Sequence, residues 1–76
     1  MLFRKKKLIQ NVHRVEDLQV GDLIQYDIYS RARVLRSLEL NKSYFDVQLE
    51  RLAFDRTPAE IVSETLHRDL KIFVWR

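Results

Sequence analysis

Apolar and polar residues alternate along most of this chain with a period of two, the spacing of strands that keep one face in a core. The clearest stretch is Ala32 to Leu52, ARVLRSLELNKSYFDVQLERL, which reads as two such strands turning at Asn41 and Lys42. A loop of two or four residues sets Leu38 opposite Phe45, Arg36 opposite Val47 and Val34 opposite Leu49, so one face is largely apolar. The other face then pairs Glu39 with Tyr44, Ser37 with Asp46, Leu35 with Gln48 and Arg33 with Glu50, the last an opposite-charge pair suited to a solvated sheet surface. A three-residue loop slips the register by one and sends the apolar set to the wrong side, so the even loop is expected.

The same pattern predicts the remaining elements. Leu8 to Val15 fits either a helical or a strand spacing, and its β-branched content favours a strand. Gly21, the one glycine, precedes Asp22 and marks a turn that calls for positive φ, with Leu18 and Val20 expected to plug the end of a core. Asp22 to Tyr29 alternates, with Ile24, Tyr26 and Ile28 on one face, and Ser30 and Arg31 are expected to link it tightly to the hairpin. Thr57, Pro58 and Glu60 carry a helix-start signature, but the β-branched Ile61, Val62 and Thr65 favour a strand over a helix at 58–67. In LKIFVWR, Leu70, Ile72 and Val74 face one way and Lys71, Phe73 and Trp75 the other.

Short strands joined by tight turns predict a mainly β fold, a small five- to six-stranded barrel, closed or half-closed. The alternative is α+β with a helix at 58–67. At 76 residues the chain has room for a single domain, expected over 8–76 behind a flexible basic arm at 1–7. The run VEDLQVGDLI, the hairpin RARVLRSLEL and FDVQLERL, and EIVSETLHRDLKIFVW resemble the small SH3-like barrels of many short phage and bacterial proteins. The layout is also similar to the N-terminal domain of translation elongation factor P. That domain's glycine-rich loop with its lysine is replaced here by Asn41-Lys42-Ser43, so the translational role does not carry over. The resemblance implies a barrel that binds RNA, DNA or protein and rarely catalyses.

Charge narrows the picture. The formal net charge is +3, yet Arg4, Lys5, Lys6 and Lys7 lie together in the arm. Taking those four from the 14 basic residues leaves 10 against 11 acidic ones, so residues 8–76 carry a net charge of −1. A general nucleic-acid binder would spread its cations over one face of the fold. No apolar run is long enough to cross a bilayer, MLFRKKKLIQ lacks the apolar core of a secretory signal, and there is no cysteine; a soluble, cytoplasmic protein is expected.

Catalytic readings fail on inventory. There is no thiol nucleophile and no glycine-rich phosphate cradle, and the HRD triplet at 67–69 lacks the asparagine and nucleotide lobe of a kinase. His13 and His67 each adjoin an arginine, Arg14 and Arg68, which disfavours a metal cation. No enzyme activity, no cofactor, no metal and no small-molecule substrate are expected. Two constellations remain. Lys71, Phe73 and Trp75 share a face of the last strand, and Arg31 and Arg33 lie with Tyr44 on the polar side of the hairpin. Arg4, Lys5, Lys6 and Lys7 form the second. The expected function is a non-catalytic adaptor or regulator that binds another protein, whether a host regulatory protein or a second copy. The alternative is an RNA- or DNA-binding barrel in which the arm meets phosphates and Tyr44 or Trp75 stacks on bases.

Overall fold

The computed structural model describes residues 8–76. Six strands form one antiparallel sheet: β1 (Gln10–Arg14), β2 (Leu23–Gln25), β3 (Arg31–Glu39), β4 (Tyr44–Arg51), β5 (Glu60–His67) and β6 (Lys71–Trp75). A single turn of 3-10 helix, Val15–Asp17, follows β1. The mainly β class is therefore the one the alternation predicted, and the helix at 58–67 is replaced by β5. Leu8 to Val15 likewise supplies a strand, β1.

The hairpin departs from expectation at its tip. Asn41 Oδ1 accepts the amides of Ser43 at 2.8 Å and Tyr44 at 3.0 Å, and the Leu40 amide bonds the Tyr44 carbonyl at 2.9 Å. These bonds close a loop of residues 41–43, an odd count. The slip this brings is absorbed lower down. Val34 pairs with Leu49 and Arg33 with Glu50 as predicted, but beyond a bulge at Leu35 the partners become Arg36 with Gln48, Ser37 with Val47, Leu38 with Asp46 and Glu39 with Phe45. A bulge reverses the alternation of the strand that carries it. Arg36 and Leu38 accordingly face away from the core instead of toward Val47 and Phe45, and Leu38 is exposed. The physical reason is that the even register would bury the Arg36 guanidinium against valine without a partner, which costs more than one disrupted ladder position.

The sheet order is β1-β6-β2-β3-β4-β5, so β1 and β5 are its two edges and no ladder joins them. Between them the sheet curls. Leu66 of β5 and Ile72 of β6 line the same cavity, about 430 Å³, as Ile24 and Leu49. Across that cavity the Tyr26 hydroxyl donates to Glu64 at 3.0 Å, tying the end of β2 to β5. The core is Val15, Leu18, Ile24, Ala32, Val34, Val47, Leu49 and Val74, with Tyr26, Phe45, Val62, Leu66 and Ile72 packed against it. Val34, Phe45 and Leu49 of the hairpin and Ile72 and Val74 of β6, all expected on inward faces, are there; Leu38, expected opposite Phe45, is not.

Two further expectations fail. β2 is short, and Ile28 lies outside it, 85% exposed. The cause is a turn: Asp27 Oδ1 accepts the amides of Tyr29 and Ser30, both at 2.8 Å, so the link to β3 occupies residues 26–30 rather than Ser30 and Arg31 alone. Leu18 is buried at the end of the core as predicted, whereas Val20 is exposed. Gly21 does adopt the positive φ expected of it, +93°.

Candidate interaction face

β6 divides its side chains as the alternation requires. Ile72 and Val74 enter the core, while Lys71, Phe73 and Trp75 stand on the outer face. β6 lies between β1 and β2, so its outer residues acquire neighbours far away in sequence. Val12 is opposite Phe73, Arg14 opposite Lys71, and both Gln10 and Leu23 are opposite Trp75. Phe73 and Val12 are about half exposed, making an apolar pair at the centre of a solvated surface. β3 follows β2, with Arg33 opposite Leu23 and Arg31 opposite Gln25. The Arg31 guanidinium carbon sits 4.3 Å from the centroid of the Trp75 ring, a cation–π contact across β2.

The cations of the protein divide by whether a carboxylate holds them. Among the described residues, Arg14 pairs with Glu16 at 2.9 Å, Arg51 with Glu60 at 3.5 Å, Arg68 with Glu16 at 2.5 Å and Arg76 with Asp22 at 2.9 Å. Arg31, Arg33, Arg36 and Lys71 have no carboxylate within ion-pair distance. Glu50 stands across from Arg33 in register without reaching it, and Arg33 Nη1 donates instead to the Gly21 carbonyl at 3.3 Å. A cleft of about 420 Å³ runs beside it, lined by Leu8, Val20, Leu23, Arg33, Trp75 and Arg76 among others.

The ends of the sheet are pinned by arginines. Arg76 reaches both oxygens of the buried Asp22 carboxylate, at 2.9 and 3.0 Å, and the Asp17 carbonyl at 2.7 Å. Asp22 also accepts the Gln19 amide at 2.7 Å. The bond to Asp22 holds the Arg76 guanidinium protonated beyond its already high range, and the clamp fixes the residue next to Trp75. At the other end Arg68 bonds Glu16 through Nε and Nη2 and the Lys42 carbonyl through Nη1. That joins the β5–β6 turn to the 3-10 turn and the hairpin tip. The Arg68 hydrogen bonds keep the Glu16 carboxyl below the ordinary carboxylate range, with help from the Arg14 charge.

The structure thus brings together Arg31, Arg33, Lys71, Phe73 and Trp75, five residues picked out from the sequence. Tyr44 shares their side of the sheet but not their neighbourhood. It packs edge-on against His67, ring centroids 5.4 Å apart, at the hairpin tip, six positions along β4 from the partner of Arg33, roughly 20 Å at 3.4 Å per residue. Arg4, Lys5, Lys6 and Lys7 lie outside the described residues. His13 sits 3.5 Å from the Arg76 guanidinium, and His67 Nδ1 accepts the Asp69 amide at 3.1 Å.

Sequence reasoning missed Val12, Leu23 and Arg36. The first two join the face only through pairings with β6, for which no local signal exists. Arg36 had a signal: a lone arginine at an inward position between Val34 and Leu38 marks a place where the alternation has to break. No protein family, curated protein or solved structure matches the chain.

Proposed function

We propose that this protein is a non-catalytic cytoplasmic adaptor or regulator, a small SH3-like barrel of the type found in phage and bacteria, which docks a protein partner on the outer face of β1, β6, β2 and β3. One observation carries the reading: Phe73 and Val12 form an exposed apolar pair with Lys71 next to it on β6 and Arg31 and Arg33 across β2 on β3, and none of the three cations has a carboxylate partner among the described residues. An apolar centre ringed by arginine and aromatic side chains is the composition enriched where proteins meet proteins. The partner is a protein rather than a nucleic acid for two reasons. The Trp75 ring is covered by Arg31 and is not a free stacking platform, and residues 8–76 have no cationic excess. A host regulatory protein and a second copy of the chain are both partners of this kind.

Selection of a random peptide display library against the full chain tests the proposal. Binders that lose their affinity on Phe73→Ser while the fold persists by circular dichroism are expected; binders indifferent to Phe73 refute the face. The nucleic-acid reading draws on the same unpaired arginines and on Arg4, Lys5, Lys6 and Lys7. It requires binding of single-stranded RNA or duplex DNA that weakens with salt, at a log–log slope of roughly −3 to −4 for the four arm charges. No binding at low salt removes it.

A further inference from the structure

The bulge at Leu35 does more than keep an arginine out of the core. Arg31, Arg33 and Arg36 are unevenly spaced in sequence, yet their positions opposite β4 are even. The Leu52 amide bonds the Arg31 carbonyl, Arg33 pairs with Glu50, and Arg36 pairs with Gln48. Each step along β4 is two residues, about 6.8 Å at 3.4 Å per residue. Three exposed arginines therefore stand along β3 at a regular repeat on one face, the Arg31 guanidinium resting on the Trp75 ring, with Phe73 on the same side of the sheet across β2.

An extended peptide carries its alternate side chains on one side at the same repeat. We infer that the partner segment is an extended acidic strand with carboxylates on every second residue, laid along β3 with its carboxylates on Arg31, Arg33 and Arg36 and an apolar side chain against Phe73. This rests on the docking face proposed above and specifies what that face takes. Arginine suits the role because its planar fork bonds a carboxylate through two parallel N–H groups. The cations are already on the protein and lack carboxylates of their own, so charge complementarity assigns the negative charge to the partner.

The test is an NMR titration of the full ¹⁵N-labelled chain with two synthetic peptides of identical composition. One alternates glutamate and threonine and ends in leucine; the other groups its glutamates together. The alternating peptide is expected to shift the amides of residues 31–36 and of Phe73 and to bind about tenfold more tightly than its isomer, the equivalent of one decade in Kd. Arg36→Ser, an exposed substitution, is expected to keep the spectrum of the fold and to abolish the difference between the two peptides. Equal affinities with shifts at Phe73 overturn the alternating strand and leave the docking face standing. Shifts at neither β3 nor Phe73 overturn both. A single-stranded oligoribonucleotide that displaces the alternating peptide from β3 overturns the choice of partner class.

Discussion

Arg76 and Arg36 belong to one sheet and have opposite surroundings. Arg76 is held by both oxygens of Asp22 and by the Asp17 carbonyl, and Arg68 is held in the same way by Glu16 and Lys42. Arg31, Arg33 and Arg36 stand exposed, and the single acidic side chain directly across from them in the ladder, Glu50, does not close on Arg33. The first group joins segments distant in sequence, which is why its carboxylates are drawn in and partly buried. In the second group Arg31 lies against the Trp75 ring and Arg33 bonds the Gly21 carbonyl, but among the described residues no carboxylate holds any of the three. The clamped arginines therefore read as stability, and the unclamped ones as a surface kept for something else.

The comparison can be broken most forcefully at Asp22. Asp22→Ala strands the Arg76 guanidinium and the Gln19 amide beside a site only 6% exposed, and the expected loss is about 2 kcal/mol of unfolding free energy. In a domain of this size that lowers the melting midpoint by roughly 10 °C. A thermal melt within a degree or two of the parent would show that the clamp is not structural.

Acid acts on the carboxylate side of the same contrast. Glu16 is held below its ordinary value of 4.5 by Arg68, and Asp27 below 3.8 first by the Tyr29 amide. A carboxyl whose folded value is depressed contributes its full stabilisation above the unfolded value and loses it as pH falls through the folded one. The urea midpoint is thus expected to drop as pH is taken below about 4.5, and a midpoint unchanged down to pH of about 3 would refute these assignments.

The smallest effect is expected at Arg36, where replacement by serine should change stability by no more than about 0.5 kcal/mol. A large gain in denaturant resistance would mean that Arg36 faces Val47 after all, because removing a buried unpaired charge is stabilising. With that result the bulge at Leu35, and the regular spacing of the three arginines, would both go.

Much of the fold was legible because alternation is local. The faces of β4 and β6, the lower half of β3 and the positive φ of Gly21 follow from residues two apart or from a single missing Cβ, while β5 was legible as a strand from its β-branched residues alone. The candidate face was legible in the same measure: Lys71, Phe73 and Trp75 had to share a side once β6 existed. Arg31 and Arg33 could be placed on a polar face, though not beside Trp75.

What the chain alone determined, then, is which side chains alternate and so which can be hidden together. Only the tertiary structure decided which strands became neighbours. The placement of β6 between β1 and β2 set Val12 against Phe73 and brought Arg31 within 4.3 Å of Trp75. The tip of the hairpin was settled there too. Asn41 closes an odd loop, and burying Arg36 is costly, so the strand spends one residue on a bulge. Pairing between remote strands depends on how the whole sheet closes over its core, and that free energy is not carried by any local stretch of sequence.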